Sequence, residues 1–540
     1  MASTPLTKFP GDCWLQILEY LSQRDLYNLS LTSRDIRASA EPFLYRSIHW
    51  DWKYPPFEKI MLFLRSISER PELADLVWHV SLVWWDVETA GEEVPLPKAN
   101  VDWAKASLRY RPTARWARKI IRDANFPVAI KHTLSSRLAT GDAYVYATLL
   151  VSQLHNLRSL RLDFSFVLEQ GLPGIMLLHS LFGDMPPRVL TRFEKLEMVD
   201  YGSNLPIMES NENLHVGRYD HQFLPWFRLP SLRVFEIWPL SLVGICVFPE
   251  PLPRPPLHLS NIRSLVLART LILPQDLAQL LLQAPFLESL HVGTLFKCLA
   301  SNYLLLEPER LLCSLETSSQ TLKHLSISLE LPSCCWANFR LRPEYGGRNA
   351  PFHGILKKFC ALKTLSLPLI FVIGWQTTTT FELQDLLPPN LKALDLRPDL
   401  WPTPDLIEFE SATLRAFEEL MRLQEAGYYP SLTSFSYQGL NENNQDAVQE
   451  LGLRPDIALL VKRQALRLHC QTKGYEFYFR PSDWAPTFMT RKVIWMNGTI
   501  VQFPWPFAHF EGLPRGMPHC FKIPTTADLG PVKRHEPREM

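Results

Sequence analysis

Leu287-Glu288-Ser289-Leu290-His291-Val292 is one copy of a six-residue pattern, L-x-x-L-x-L, that recurs along the middle of the chain. If Val, Ile, Phe or Tyr is allowed at the leucine positions, nine copies occur, at 157–162, 196–201, 232–237, 262–267, 287–292, 322–327, 362–367, 391–396 and 432–437. Successive copies start 25 to 41 residues apart. This recurrence predicts an array in which each copy forms one strand.

The alternating leucines predict a parallel sheet with one apolar face. Successive side chains of a strand point to opposite faces, so the leucines would form a continuous core and the intervening residues would face outward. Helical stretches lie between the copies, at 275–283, 309–315, 353–359 and 407–426. The spacing is irregular, and the Asn or Cys ladder position of a standard leucine-rich repeat is absent. We therefore predict an α/β fold, an irregular leucine-rich-repeat-like solenoid over residues 154–440.

The outward strand positions are the candidate residues for binding a protein substrate. They carry mixed charge and one aromatic ring, which suits a polypeptide: Arg161, Asp163, Asp200, Glu236, Trp238, His291, His324, Asp395 and Arg397. The alternative for each residue is an ordinary solvated strand position, because only a minority of interface residues carries binding energy.

Residues 1–50 predict three short helices ahead of the repeats. Pro10 and Asp12 favour a helix start, and the apolar stripe that follows them ends near Tyr20. Ser22-Gln-Arg-Asp25 and Thr32-Ser-Arg-Asp35 both fit the capping box, in which a hydroxyl and a carboxylate satisfy the free amides of a first helical turn. One further helix is predicted after each box.

This segment resembles the F-box over about residues 6–50. The matching positions are Phe9-Pro10, Leu15, Ile17-Leu18, Leu21, Asp25-Leu26, Leu29, Leu31, Ser33-Arg34, Ile36 and Leu44-Tyr45-Arg46. Phe9 replaces the usual leading leucine, and Thr32 stands where valine is commoner. A short F-box followed by divergent repeats looks like the F-box proteins of filamentous fungi. The alternative is a three-helix cap on the repeat array.

The resemblance also implies a partner. F-box helices dock on the Skp-family adaptor of a cullin-RING (SCF-type) ubiquitin ligase, and the apolar docking face would be made here by Phe9, Pro10, Leu15, Leu18, Leu21, Leu26 and Leu29. An exposed apolar patch of this kind is itself a reason to expect a constitutive partner.

Two further regions flank the repeats. Residues 51–153 predict connecting helices and a first strand, with a helix at 58–69, a strand at 76–85 and a basic helix over 103–122. The cations of that helix could contact nucleic acid, but no aromatic residues are interleaved on one face, so a solvated face is favoured. Residues 441–524 predict a C-terminal cap, with a helix at 456–469, a strand at 474–480 and a hairpin around Asn497-Gly498. Residues 525–540 predict a disordered tail.

Charge and cysteine content narrow the class of protein. The 56 Lys and Arg residues against 55 Asp and Glu leave a net charge of +1, which removes the bulk electrostatic argument for nucleic-acid or membrane binding. Nine cysteines without a C-x-x-C pair fit a reducing compartment. No apolar stretch reaches the roughly 20 residues that a membrane span needs. We expect a cytoplasmic or nuclear protein with no nucleic-acid or membrane partner.

Motifs that carry enzyme chemistry are missing. No G-x-S-x-G, G-x-x-x-x-G-K-[ST], H-E-x-x-H or G-x-G-x-x-G occurs. His215 and His221 could be drawn as metal ligands and Cys334-Cys335 as a redox pair, but neither pair has further ligands or a base at suitable spacing. We predict no catalytic residue, metal or cofactor. An SCF substrate adaptor is the first hypothesis, a protein-binding scaffold without a ligase role the second, and an enzyme whose site assembles from distant residues the third.

Overall fold

The computed structural model describes residues 11–84, 97–98, 103–183, 186, 188–204, 220–239, 257–270, 273–295, 308–330, 355–368, 370–373, 383–397, 406–440 and 476–482. The chain divides into two compact units. One comprises residues 1–47 together with 498–540, and the other comprises residues 48–497. The division after Ser47 falls close to the predicted end of the F-box-like segment.

The described part of the first unit, residues 11–47, consists of the three predicted helices, and we call it the helical unit. They are α1 (Gly11–Tyr20), α2 (Gln23–Ser30) and α3 (Arg34–Tyr45). Ser22 caps α2 as predicted, because its hydroxyl accepts from the Asp25 amide at 3.2 Å and donates to the Asp25 carboxylate at 2.6 Å. The second box is displaced by one residue. Ser33 rather than Thr32 accepts from the Ile36 amide, because the Thr32 hydroxyl donates to the Leu29 carbonyl at the end of α2.

The second unit begins with a group of helices. They are α4 (Phe57–Glu69), α5 (Glu72–Asp75), α6 (Trp103–Arg109), α7 (Arg111–Asp123), α8 (Val128–Ala139), α9 (Ala143–Val151), α10 (Phe164–Leu168) and α11 (Leu172–Phe182). The helix predicted at 58–69 is confirmed as α4. The basic helix predicted over 103–122 is two helices, which meet at Tyr110.

Later helices lie between strands, as the repeat pattern predicted. They are α12 (Pro274–Leu282), α13 (Pro308–Ser314), α14 (Ile370–Ile373) and α15 (Leu406–Glu425). Short 3-10 turns occur at Asp220–Gln222, Leu224–Arg228, Glu316–Ser318, Leu356–Lys358 and Leu383–Asp385. A helix is predicted at 353–359. The described residues of this stretch, 355–359, contain only the 3-10 turn Leu356–Lys358.

A twelve-stranded sheet runs through the second unit. Its strands are β1 (Ser47–Asp51), β2 (His79–Val83), β3 (Ser159–Leu162), β4 (Met198–Tyr201), β5 (Val234–Ile237), β6 (Ser264–Thr270), β7 (Ser289–Leu295), β8 (His324–Glu330), β9 (Thr364–Pro368), β10 (Ala393–Arg397), β11 (Ser434–Leu440) and β12 (Glu476–Ser482). Their order across the sheet is their order along the chain, and the neighbours from β2 to β12 pair in parallel.

All nine repeat copies are strands of this one sheet, β3 to β11, which confirms that prediction. Leu265 pairs with Leu290 in register, so the two residues share a sheet. The strand predicted at 474–480 is confirmed as β12, and it continues the sheet into the region predicted as a C-terminal cap. The helix at 456–469, the hairpin around Asn497-Gly498 and the tail at 525–540 lie outside the described residues.

The leucine row forms the core on one face of the sheet. It runs in register through Leu160, Val199, Phe235, Leu265, Leu290, Leu325, Leu365, Leu394 and Phe435, all at most 1% exposed. Burial of each such side chain contributes about 1.5–3 kcal/mol, so every strand adds to the stability of its neighbours. The polar residues between the leucines occupy the opposite face.

Candidate functional site

The helical unit has a small apolar core. Leu18, Leu26 and Ala40 are at most 4% exposed, and half-buried side chains pack around them: Trp14, Leu21, Leu29, Phe43 and Leu44. Leu18 and Leu26 were expected on the docking face, but both lie in this core. Both side chains hold the three helices together in this structure, and their assignment as contact residues stays a prediction.

Other apolar side chains of the helical unit are exposed. The five large ones are Leu15, Ile17, Tyr20, Tyr27 and Leu31, with exposed fractions from 41% to 77%. We call them the exposed apolar set. Leu15 was predicted to contact a partner, whereas the other four were not. Phe9 and Pro10 lie outside the described residues. Large apolar side chains left in water on so small a unit indicate a surface that a partner covers.

The polar face of the sheet carries a continuous row of residues, which we call the polar row. It runs in register through Ser81, Arg161, Asp200, Glu236, Val266, His291, Ser326, Ser366, Asp395 and Ser436. Of these ten residues only Val266 is apolar. The repeat pattern predicted polar residues on this face but not their mutual contacts.

The candidate substrate residues are much less exposed than predicted. Six are at most 7% exposed: Asp163, Asp200, Trp238, His291, Asp395 and Arg397. The other three, Arg161, Glu236 and His324, are half-buried. The expectation that these strand positions are solvated is wrong. Arg161 and Asp200 bond to each other, and four more of these side chains bond to Ser or Thr hydroxyls on nearby strands, namely His291, His324, Asp395 and Arg397.

A charged cluster occupies the row from β3 to β5. Arg161 donates from Nε and Nη2 to one carboxylate oxygen of Asp200, at 3.1 and 3.0 Å. Burial and the neighbouring Asp200 raise the pKa of Glu236 to about 7, although Arg161 acts in the opposite direction. Burial and Arg161 lower the pKa of His49 on β1. The row from β3 to β5 therefore holds one firm ion pair beside a carboxyl group whose pKa is raised.

Asp163 has a structural role at the end of β3. Its carboxylate accepts from the amides of Trp84 and Ser165, at 3.0 and 2.9 Å, and from the side-chain amide of Asn204 at 2.7 Å. Gly202 allows the chain to turn towards this contact. Its φ is +75°, and a Cβ there would lie 2.7 Å from a methyl of Val167. Asp163 thus caps α10 and joins three strand ends, so it is not a free ligand for a substrate.

A second polar network spans β7 to β10. His291 contacts the hydroxyl of Ser326 through Nδ1 at 2.9 Å, and Ser366 donates to Asp395 at 2.7 Å. Arg397 donates to both Ser326 and Ser366. Burial, followed by the charge of Arg397, holds the pKa of His291 well below its ordinary value. The hydroxyls of Ser326 and Ser366 thus link a buried arginine, a carboxylate and an imidazole within the sheet.

The carboxylate and the imidazole of this network contact different hydroxyls. Asp395 accepts from Ser366, whereas the ring of His291 lies between the hydroxyls of Ser326 and Ser328. Among the described residues no group of three or more His, Cys, Asp or Glu side chains is placed to hold a metal ion. His215 and Cys334-Cys335 lie outside the described residues.

One groove of about 880 Å³ lies on the second unit. Trp116, His155 and Phe193 line it together with residues of α4, α5 and the segment 186–195. Its charges are mixed, because three acids and three bases line it: Glu72, Asp75, Glu194, Arg188, Arg192 and Lys195. Three of these have hydrogen-bond partners, because Glu72 accepts from Arg70, Asp75 accepts from Asn156 and Lys195 donates to Asn156. The groove therefore selects no particular charge in a ligand.

Comparison with known proteins identifies the helical segment. Residues 7–49 match the F-box-like family. The chain therefore carries an F-box-like domain, and the match covers the three helices described above. No curated protein matches the chain. In the described parts of the chain, none of the helices combines the length and apolar character needed to span a bilayer.

Proposed function

We propose that this protein is the substrate-recognition subunit of an SCF-type ubiquitin ligase. The observation that carries the proposal is the F-box-like match over residues 7–49. F-box domains in general bind Skp-family adaptors within cullin-RING ligases. The folded helical unit with its exposed apolar set supports the same role, since docking would remove those side chains from water.

The second unit would hold the substrate. The one-directional parallel sheet with helices between its strands supports a leucine-rich-repeat-like solenoid that presents a polypeptide substrate to the ligase. Such an adaptor needs no catalytic residue, metal or cofactor of its own, and it would act in the cytoplasm, the nucleus or both. Of the candidate substrate residues, Arg161, Glu236 and His324 retain partial exposure, so binding of substrate at the polar face depends on these three.

Adaptor capture by the full chain tests the proposal. We expect the chain to co-purify with a co-expressed Skp-family adaptor and its cullin. The double variant Leu15→Asp/Leu31→Asp places two carboxylates on the exposed apolar set, so capture should fall at least about tenfold, because each buried unpaired charge costs several kcal/mol. The matched control is Leu282→Asp/Phe286→Asp, which changes two exposed apolar residues of the second unit.

Hydrogen exchange of α1 to α3 in the same samples shows whether the variant is folded. Unchanged protection with lost capture supports the proposal. If the wild-type chain captures no adaptor, the protein is a scaffold without a ligase role. If the folded double variant captures as much adaptor as the wild type, the docking face does not include the exposed apolar set.

A further inference from the structure

Helix α7 carries an exposed stripe of cations. Spacings of three and four residues place them on one face of the helix, and all five are exposed: Arg111, Arg115, Arg118, Lys119 and Arg122. The opposite face of α7 is buried, through Thr113, Ala114, Ala117, Ile120 and Ile121. We call the five cations the basic stripe. The helix therefore has a fixed orientation, with its positive face outward.

Within the described part of the chain, acidic residues neutralise little of the basic stripe. Arg122 lies 3.3 Å from the exposed carboxylate of Asp123. The other four cations make no hydrogen bond or ion pair with any described residue. Two acids on α4, which packs on α7, have other partners, since Glu58 pairs with Arg109 and Glu69 with Arg65. Like charges at these spacings destabilise a helix. Stability of the fold therefore gives no reason for the stripe.

We propose that the basic stripe binds an acidic polypeptide segment and is a substrate-reading surface of this protein. The inference rests on the proposed role as a substrate-recognition subunit. It also follows from the burial of the polar row, which leaves few charged side chains of the sheet for a partner to contact. The choice of substrate would then depend on α7, which precedes the repeats, rather than on the repeat strands.

The dimensions of the stripe suit an extended segment. Arg111 to Arg122 spans roughly 16 Å at about 1.5 Å per residue. An extended peptide covers that length in about five residues, and its alternate side chains lie on one side at intervals of about 6.6 Å. Successive turns of α7 present cations about 5.4 Å apart. A segment with acidic residues at alternate positions can therefore face the stripe with two or three carboxylates.

Two other anionic partners fit the helix less well. A membrane surface would require apolar side chains beside the cations, but the apolar face of α7 is buried within the unit. Single-stranded nucleic acid would require exposed aromatic rings for base stacking. The one aromatic residue of α7, Trp116, is half-buried at the side of the helix and lines the groove. A polypeptide needs neither feature.

Fluorescence anisotropy with the full chain, co-expressed with the Skp-family adaptor, tests the proposal. The probe is a fluorescein-labelled peptide of about twelve residues in which Glu and Ser alternate, and the control peptide has Gln in place of Glu. The variant is Arg115→Glu/Arg118→Glu. Its matched control is Lys363→Glu/Lys392→Glu, which reverses two exposed cations of the same unit. Each double variant lowers the net charge by four, from +1 to −3.

We expect the wild type and the control variant to bind the Glu peptide with Kd values within about twofold of each other, and Arg115→Glu/Arg118→Glu to bind about tenfold more weakly. Binding should weaken with added salt, and the Gln peptide should not bind. An equal loss in both variants, or no binding by the wild type, overturns the proposal. So does tighter binding of a thymidine oligonucleotide of similar length, or of vesicles containing phosphatidylserine.

The adaptor assay separates this proposal from the one on which it rests. Adaptor capture should be the same for the wild type, the stripe variant and its control. The folded Leu15→Asp/Leu31→Asp variant should lose adaptor capture and still bind the Glu peptide as the wild type does. If the adaptor is captured and the Glu peptide is not bound, only the stripe proposal fails. If the peptide is bound and no adaptor is captured, the ligase role fails and the stripe remains a binding surface for acidic segments.

Discussion

The helical unit and the sheet differ in how their stability is distributed. Three buried side chains, Leu18, Leu26 and Ala40, form the centre of the helical unit. In the sheet each strand from β1 to β11 brings its own buried residues, and backbone pairing joins a strand only to the strands beside it. A single change should therefore have a global effect in the first case and a graded, local effect in the second. The family match follows the same division, because it covers the helices of the small unit.

The largest expected effect is at Leu18. Leu18→Asp would place an unpaired carboxylate in the small core, which costs several kcal/mol and exceeds what three short helices can lose. Hydrogen exchange should show α1 to α3 unprotected while β3 to β10 keep their protection. Ile17→Asp is the matched control, because the neighbouring residue is 41% exposed and its change should leave the helices folded. Retained protection in Leu18→Asp would contradict the core assigned here.

A smaller effect is expected at Asp163, within the sheet. Asp163→Ala removes a helix cap and leaves the buried amides of Trp84 and Ser165 without their acceptor, so the free energy of unfolding should fall by about 3–5 kcal/mol. Asp142→Ala is the control. Asp142 also caps a helix but is more exposed, and its loss should cost about 1–2 kcal/mol. Urea denaturation measures both variants, and equal losses would refute the role given to Asp163.

The smallest effect concerns the pH dependence of the sheet. The pKa of Glu236 is raised to about 7 in the folded chain, so between its ordinary pKa and pH 7 the folded state binds more protons than the unfolded state. Stability that Glu236 contributes in acid should therefore be lost as the pH rises towards about 7. Glu236→Gln should be more stable than the wild type by about 1–2 kcal/mol at pH 8 and no more stable at pH 5. Urea titrations at the two pH values measure this difference. A constant difference would contradict the raised pKa.

The sequence predicts the strands well because leucines at alternate positions mark the buried side of each strand. All nine copies are strands, and the register follows from aligning the central leucine of each copy. The exposure of the intervening residues could not be predicted in this way. Arg161 and Asp200 are 39 residues apart in the chain, and their ion pair exists only once β3 and β4 are in register.

In the helical unit, too, the sequence does not show which apolar side chains are buried. Leu15 and Leu18 are equally apolar and both match the F-box pattern, so their residue types do not distinguish which one faces inward. The choice is made by packing against α2 and α3, where Leu26 and Ala40 close the core around Leu18. The sequence predicts a charged helix at the basic stripe, but only the packing around α7 shows that four of its five cations have no ion-pair partner among the described residues.

The order of the strands has a consequence for the synthesis of the chain. Each strand of the sheet lies beside the strand that precedes it in the sequence. A strand can therefore pair as soon as it has been synthesised, because its first neighbour is already present. As the polypeptide leaves the ribosome, each new strand can add to an edge that is already formed, and the loop to be closed is only one repeat long. A parallel sheet of this size would otherwise fold slowly, because its pairings are non-local. Here the sheet can lengthen at the pace of translation.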